Sequence, residues 1–326
     1  MVKQEVLAAL DAVRGRYISG QELAAQLGVS RTAVWKAVAA LRRDGIPIKA
    51  VTNRGYTLAQ SVDVLNAAAV AAQLDEATVK ALQIEVVDRL PGTNAALRSR
   101  ADAGAREGLV LIAQAQSAGR GRGGHSFYSP PGGLYMSILL RPEIGARQAV
   151  GLTAMAAVAA ARAAERLCGA PIRIKWVNDL YYQGKKVCGI LTEAAFRLEE
   201  GTLDYAVLGV GFNAYTPEGG FPPEIASIAG SVYEARREDG RNALAAAFLN
   251  GLRGALAEPQ AALEDYRRRC LVLGKDILVQ SPQGSRPARA LDLDEQCGLL
   301  VQYPDGSREV LRSGEISVRP VGSTSI

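Results

Sequence analysis

Between two apolar runs, residues 109–113 and 134–140, the chain carries Ser117-Ala118-Gly119-Arg120-Gly121-Arg122-Gly123-Gly124-His125-Ser126-Phe127-Tyr128-Ser129-Pro130. Its glycines allow positive φ and close approach of a ligand to the backbone, and Arg120 and Arg122 offer planar, permanently charged donors for a carboxylate or phosphate. Gly119, Gly121 and Gly124 fit the spacing GxGxxG, but a dinucleotide fingerprint must open a helix. Here Pro130-Pro131-Gly132 and a β-like run follow instead. The stretch therefore reads as a loop between strands, either an anion clamp or a solvated flexible turn.

No GxxxxGK[ST] phosphate loop occurs anywhere, so a bound nucleotide has to rest on arginines and exposed backbone amides. The single histidine, His125, rules out a His-rich metal site and is the one residue a Ser-His-Asp or Cys-His hydrolase could use as its base. Cys168, Cys188, Cys270 and Cys297 are widely spaced with no CxxC pair, which reads as four buried reduced thiols. Residues 149–161 are an Ala-rich run, short of the roughly 20 residues that cross a bilayer, and the first residues include Glu5 and no apolar leader core. A cytoplasmic protein with no membrane partner is expected.

Charge divides the chain unevenly. Residues 1–60 carry nine Lys or Arg against four acids, which accounts for the whole net charge of +5. A basic N-terminal module on a neutral body follows. Val6, Leu7, Leu10 and Val13 recur at helical spacing, and Ser19-Gly20-Gln21-Glu22 has capping-box spacing before a second helix. Ser30 caps a third helix over residues 31–43, buried through Val34, Val38 and Leu41, and Asn53-Arg54-Gly55 turns between two β-like runs. This order is that of a winged helix-turn-helix DNA reader, with Arg31, Thr32 and Lys36 at bases or phosphates and Arg54 on the wing. A small helical domain with merely solvated charges is the competing reading; spacing, turn and charge together favour DNA.

The rest reads as α/β (α+β): strands near residues 84–87, 109–113, 134–140, 172–176, 185–193 and 205–213, with few intervening helices, predict a mixed or largely antiparallel sheet covered by helices. From Leu271 short apolar runs split by turns predict a small antiparallel β-barrel. The expected domains are 1–62 (winged helix-turn-helix), 63–270 (central sheet) and 271–326 (small barrel).

Gly119-Arg120-Gly121-Arg122, Lys175-Trp176-Val177-Asn178-Asp179, Lys186-Val187-Cys188-Gly189-Ile190-Leu191 and Gly209-Val210-Gly211-Phe212-Asn213, in this order, resemble the signature motifs of biotin protein ligases. With the winged helix in front, nearly the whole chain resembles the bifunctional form that also represses the biotin operon. The resemblance implies a class II synthetase-like central sheet and an SH3-like C-terminal barrel. It implies formation of biotinyl-5′-AMP from biotin and ATP with Mg²⁺, then transfer to a lysine of biotin carboxyl carrier protein. It also implies operator DNA as a partner and a homodimer when the adenylate is bound. Catalytic roles fall to Lys186, Arg120 and Arg122. Biotin binding falls to Thr93, Asn94, Gln116, Gly119, Gly189, Gly209 and Gly211 with those three, and nucleotide binding to Phe127, Lys175, Trp176, Asn178, Asn213 and Arg319. Asp179 is the candidate for Mg²⁺ or for orienting Lys186. The sequence departs from the family at Gly92 and Val177, where Ser and Pro are usual, and Phe127 or the adjacent Tyr128 stands where a Trp covers the ligand. A ligase without DNA binding, a biotin sensor without catalysis and a lipoate ligase are the alternatives; Lys186 and Arg120 speak against the sensor, and the paired arginines favour biotin.

Overall fold

Capping fixes the first helices of the computed structural model, which describes residues 2–43, 46–59, 62–145, 149–197, 202–281, 284–312 and 317–320, side chains of 150, 281 and 317–320 excepted. Ser19 accepts from the Glu22 amide while Glu22 accepts from the Ser19 amide, opening α2 (Gly20–Leu27), and Gly28 at φ 64° closes it. Ser30 Oγ accepts from Ala33 N at 3.1 Å at the start of α3 (Arg31–Arg43). With α1 (Val2–Ala12) and the antiparallel pair β1 (Ile48–Val51) and β2 (Gly55–Leu58), they enclose a core of Val6, Leu10, Leu23, Val34, Val38, Leu41, Ile48 and Leu58. The predicted winged helix-turn-helix is thus present.

This compact unit comprises Met1–Val70 together with Ala235–Ala243. The second segment joins through polar side chains. Arg241 Nε lies 3.1 Å from Asp63 Oδ2 with both side chains buried, and its NH2 donates to Asp63 O at 2.9 Å. Arg14 pairs with Asp11 and, at 2.8 Å, with Asp239; Asn242 Nδ2 donates to Val64 O at 2.7 Å.

Two short helices follow, α4 (Ala67–Ala71) and α5 (Glu76–Ala81), the latter capped by Asp75. The second unit, Ala71–Glu234 with Leu244–Ile326, is built on a seven-stranded sheet. Its strands are β3 (Gln83–Leu90), β4 (Leu109–Gln116), β5 (Leu134–Leu140), β6 (Arg173–Lys175), β7 (Asp179–Tyr182), β8 (Lys185–Arg197) and β9 (Thr202–Phe212), in the order β3-β4-β5-β9-β8-β7-β6. Only β3 and β4 are parallel, because α6 (Thr93–Asp102) crosses between them; the other pairs are antiparallel. The sheet is mixed, as the sequence predicts.

One face is covered by α7 (Ala149–Cys168), where Ala156, Ala157, Val158, Ala159, Ala160 and Ala161 are fully buried. Small side chains let other helices approach closely: a Cβ on Gly251 would sit 3.6 Å from Ala159. After the short α8 (Pro223–Ala226), α9 (Gly240–Ala257) and α10 (Pro259–Arg269) complete the helical layer. Asp265 of α10, buried, takes Arg162 of α7 at 2.8 Å and Arg269 at 3.1 Å. No helix among the described residues is long and apolar enough to cross a membrane.

The C-terminal prediction needs correcting. β10 (Asp276–Ser281), β11 (Gly284–Leu293), β12 (Leu299–Gln302), β13 (Arg308–Leu311) and β14 (Ser317–Pro320) form one five-stranded sheet in the order β13-β12-β11-β10-β14. Among the described residues its edge strands β13 and β14 do not pair, so the sheet is open and no SH3-like barrel closes. Each edge strand has four residues, which gives little length for the tilt and stagger that closure demands. The Trp176 indole, buried, donates to Cys297 O at 2.8 Å and fixes this sheet to the loop before β7.

Candidate active site

The glycine-arginine loop folds as a hairpin extension of β4 and β5. Gln116 N donates to Ser129 O at 3.0 Å, Phe127 N to Gly119 O at 2.9 Å and Gly121 N to His125 O at 2.7 Å. The tip, residues 122–124, is a single 3₁₀ turn with Gly123 at φ 64° and Gly124 at φ 80°, backbone that side-chain-bearing residues seldom adopt. Glycine at these positions builds the turn that presents both arginines.

Beneath the hairpin lies a cavity of about 530 Å³, walled by the start of α6, the ends of β4 and β5, and the middle of β8 and β9. Thr93, Asn94, Gln116, Arg120, Arg122, Phe127, Asn178, Asp179, Lys186, Gly189, Gly209 and Gly211 all line it. The start of α6, the end of β4, the hairpin, the start of β7, β8 and β9 thus bring twelve of the expected residues to one space.

Its polar wall is a chain of hydrogen bonds. Gln116 Oε1 accepts from Thr93 N at 2.8 Å and from Thr93 Oγ1 at 3.2 Å, and Gln116 Nε2 donates to Ser129 Oγ at 2.9 Å. Ser137, wholly buried on β5, puts its Oγ 2.7 Å from Thr93 Oγ1 and 2.6 Å from Asn94 Oδ1. Asn94 Nδ2 donates to Leu191 O at 3.1 Å and to Glu193 Oε2 at 2.9 Å, and Arg98 holds the other carboxylate oxygen at 2.8 Å. Rotamers are locked before any ligand arrives.

The floor is made of glycines on adjacent strands. Gly189 pairs with Gly211 across β8 and β9, and Gly209 pairs with Ser137 across β9 and β5. A Cβ on Gly211 would stand 2.6 Å from the Phe127 ring, and one on Gly209 would stand 2.9 Å from Asn94 Cγ. Phe127 rests on this floor, edge-on to Tyr135 at 6.4 Å between centroids, with Lys186 Nζ 6.0 Å from its own centroid. Tyr128 is exposed and does not line the cavity.

The cationic side is built by an irregularity. The β7–β8 register shifts between Leu180 and Tyr181, a bulge of the kind that re-aims side chains beside binding sites. Lys186 backbone is pinned on its other side by Lys186 N→Ile228 O at 2.7 Å and Gly230 N→Lys186 O at 2.9 Å. Its Nζ reaches Asp179 Oδ1 at 2.7 Å. Arg122 NH1 donates to Asn178 Oδ1 at 3.2 Å, while Asn178 Nδ2 donates to Ile190 O at 2.7 Å. Burial pulls the Arg122 pKa down, opposed by the charge of Asp179 and by Tyr266. A half-buried guanidinium resting mainly on a neutral amide is a receptor for an anion.

Other expected residues stand elsewhere. Gly119 lies behind the wall, where a Cβ would meet Ser129 Oγ and Phe127 O at 2.5 Å. Trp176 is core, and Lys175 and Asn213 do not line the cavity; Asn213 braces it, donating from Nδ2 to Lys186 O at 3.3 Å. Arg319 sits opposite Leu278 on β14, its side chain outside the described residues. On the other unit, Arg31, Thr32 and Lys36 are exposed on α3, and Arg54 lies 4.5 Å over the Tyr17 ring. Sequence reading missed Ser137, Glu193 and Arg98; the one signal was a serine inside the apolar run of β5. No group of three or more His, Cys, Asp or Glu suited to a metal occurs among the described residues.

Residues 86–213 match the biotin/lipoate A/B protein ligase family, residues 3–57 an HTH domain and residues 272–319 the biotin protein ligase C-terminal domain. The bifunctional ligase/repressor BirA of Escherichia coli is 32% identical over 322 residues, 94% of each chain, and that of Bacillus subtilis 29% over 316 residues, 95% of this chain and 96% of the relative. The structure of biotin protein ligase from Aquifex aeolicus with biotin and ATP superposes with a TM-score of 0.60 at 26% identity, covering 73% of this chain and 99% of that one. Fold and site together define a protein ligase of the biotin/lipoate type carrying a helix-turn-helix. The chain belongs to the family of bifunctional biotin protein ligases that are also repressors.

Proposed function

We infer that this chain activates biotin with ATP, transfers it to a lysine of biotin carboxyl carrier protein, and represses transcription from biotin operator DNA. The observation that carries the ligase reading is the convergence of Arg120, Arg122 and Lys186 on a cavity whose opposite wall is the locked Thr93–Gln116–Ser137–Asn94 chain. In the first step a carboxylate oxygen bonds to the α-phosphorus and the bond to the β-phosphate bridge breaks, releasing pyrophosphate. Two anions must approach, and negative charge grows on the leaving group, so preorganised cations are the main requirement. Lys186 and Arg122 meet it, with Asp179 holding Lys186 in place. In the second step the carrier lysine nitrogen bonds to the acyl carbon, AMP departs and the nitrogen loses a proton. No protein nucleophile is needed in either step.

The wall of hydroxyl and amide groups suits the ureido ring of biotin, and the glycine floor with Phe127 suits its apolar body and the adjoining adenylate. Gly92 provides no hydroxyl, so the first-turn donors are those of Thr93. Mg²⁺ would enter with the ATP phosphates, Asp179 being the carboxylate within reach; magnesium commonly keeps its waters and takes only one or two protein carboxylates. Residues 1–62 serve operator recognition, 63–270 catalysis and 271–326 support of the nucleotide side, Arg319 included. A site that consumes ATP and modifies carrier proteins belongs in the cytoplasm, and two recognition helices on a two-fold operator call for a homodimer.

Incubating the protein with biotin, MgATP and a carrier domain tests this: the carrier should gain one biotinyl mass. No gain, or gain only with lipoate, refutes the substrate assignment. A gel shift on the upstream region of biotin genes, dependent on biotin and ATP, tests the repressor arm. Its absence beside intact ligation leaves a ligase alone.

A further inference from the structure

Trp35 is the most exposed large hydrophobic side chain among the described residues, 61% accessible, and it stands on the outer face of α3. Helical spacing sets it one turn beyond Arg31 and Thr32 and beside Lys36, all of them exposed, while Val34, Ala37, Val38 and Leu41 face the core. No Asp or Glu occurs between Glu22 and Asp44. The stripe is therefore cationic with one large apolar group at its centre. A second copy of this chain is a poor occupant, since a two-fold contact would set Arg31 and Lys36 against their own equivalents. A polyanion with an apolar feature fits both properties.

Resting on the DNA-binding reading above, we propose that Trp35 reads thymine: its indole packs against the C5-methyl group of a thymine in the major groove, while Arg31 and Lys36 hold phosphates or base edges. The thymine methyl is the one apolar feature that base edges present in that groove, and a helix entering it brings its N-terminal turns to those edges. Wedging between base steps is a minor-groove device and does not suit a residue on this helix. Trp35 therefore adds sequence information that charge alone does not carry.

The test begins with a duplex selected from a random pool by the wild-type protein in biotin and ATP. Each thymine of the half-site is then replaced by deoxyuridine, which removes only the methyl group, and binding is read by fluorescence anisotropy. One position should weaken wild-type binding roughly three- to tenfold, the worth of one buried methyl. Trp35→Ala should bind the thymine duplex about tenfold or more weakly and be indifferent to that replacement, with Trp35→Phe between the two. Thermal unfolding confirms that the variants are folded. Wild-type indifference to every replacement, or discrimination retained by Trp35→Ala, overturns the proposal and leaves DNA binding standing. Failure of the wild type to select or bind any duplex overturns the DNA-binding reading and this proposal with it. Fluorescence gives a second readout, because the other tryptophan, Trp176, is only 4% accessible. Acrylamide quenching should fall when the selected duplex saturates the protein, and unchanged quenching in the complex also overturns the proposal.

Discussion

Gly209 and Asn94 face each other so closely that a β-carbon on the glycine would stand 2.9 Å from Asn94 Cγ, with the amide oxygen nearer still. The contact holds the Asn94 oxygen beside Ser137 and its nitrogen on Leu191 and Glu193. Gly209→Ala should displace Asn94 and raise the KM for biotin by about tenfold or more, since angstrom-scale misplacement is costly in an oriented site. The KM for ATP should change less. Equal effects on both would refute the assignment of this wall to biotin.

The Lys186–Asp179 pair predicts a division between the two steps. Lys186→Ala should lower the rate of adenylate formation, measured by pyrophosphate exchange, by about 10²–10³, as removal of a preorganised charge partner does. Transfer from chemically supplied biotinyl-5′-AMP should suffer less, because the triphosphate has already reacted. Asp179→Asn should give a smaller loss in the first step, by loosening the lysine it holds at 2.7 Å.

Asp265 sets an acid limit. Burial would raise its pKa, but Arg162 and Arg269 outweigh burial and hold it below the ordinary carboxylate value. A depressed folded-state pKa contributes stability above the unfolded value of about 3.9 and loses it as pH falls through the folded value. Urea unfolding of Asp265→Asn should therefore show a deficit of about 2–4 kcal/mol at pH 7 that narrows towards pH 3. A deficit constant with pH would refute the charge argument.

Arg241 and Asp63 predict where the first unit gives way. Both side chains are buried, so Arg241→Ala leaves a carboxylate without its counter-charge and should cost about 3–5 kcal/mol. Hydrogen exchange should quicken across α1 to β2, although the substitution lies far along the chain. Unchanged protection there would refute the inclusion of residues 235–243 in this unit.

Local signals were legible where local chemistry makes the structure. Ser19 with Glu22, Gly28 and Ser30 predicted the helix ends of the DNA-binding unit, and the proline-glycine exit of the hairpin excluded a nucleotide-binding helix. The motifs that carry the family resemblance also pointed to twelve residues that line one cavity. What stayed hidden depends on partners distant in sequence. Nothing near Asp239 or Arg241 announces Arg14 or Asp63, and nothing near Trp176 announces the carbonyl of Cys297. The barrel expectation failed because turns and short apolar runs describe any small antiparallel sheet, whereas closure depends on pairing between strand edges, which composition does not encode.

Because residues 235–243 complete the helix-turn-helix unit, the gene encodes that unit in two pieces separated by most of the enzyme. Removing residues 1–70 alone would not lift out a self-contained cassette: Asp239, Arg241 and Asn242 would remain, stripped of Arg14, Asp63 and the carbonyl of Val64. A lineage shedding its repressor arm would have to rewrite these positions as well. Charged residues persisting there in a shortened descendant would be a fossil of the lost arm.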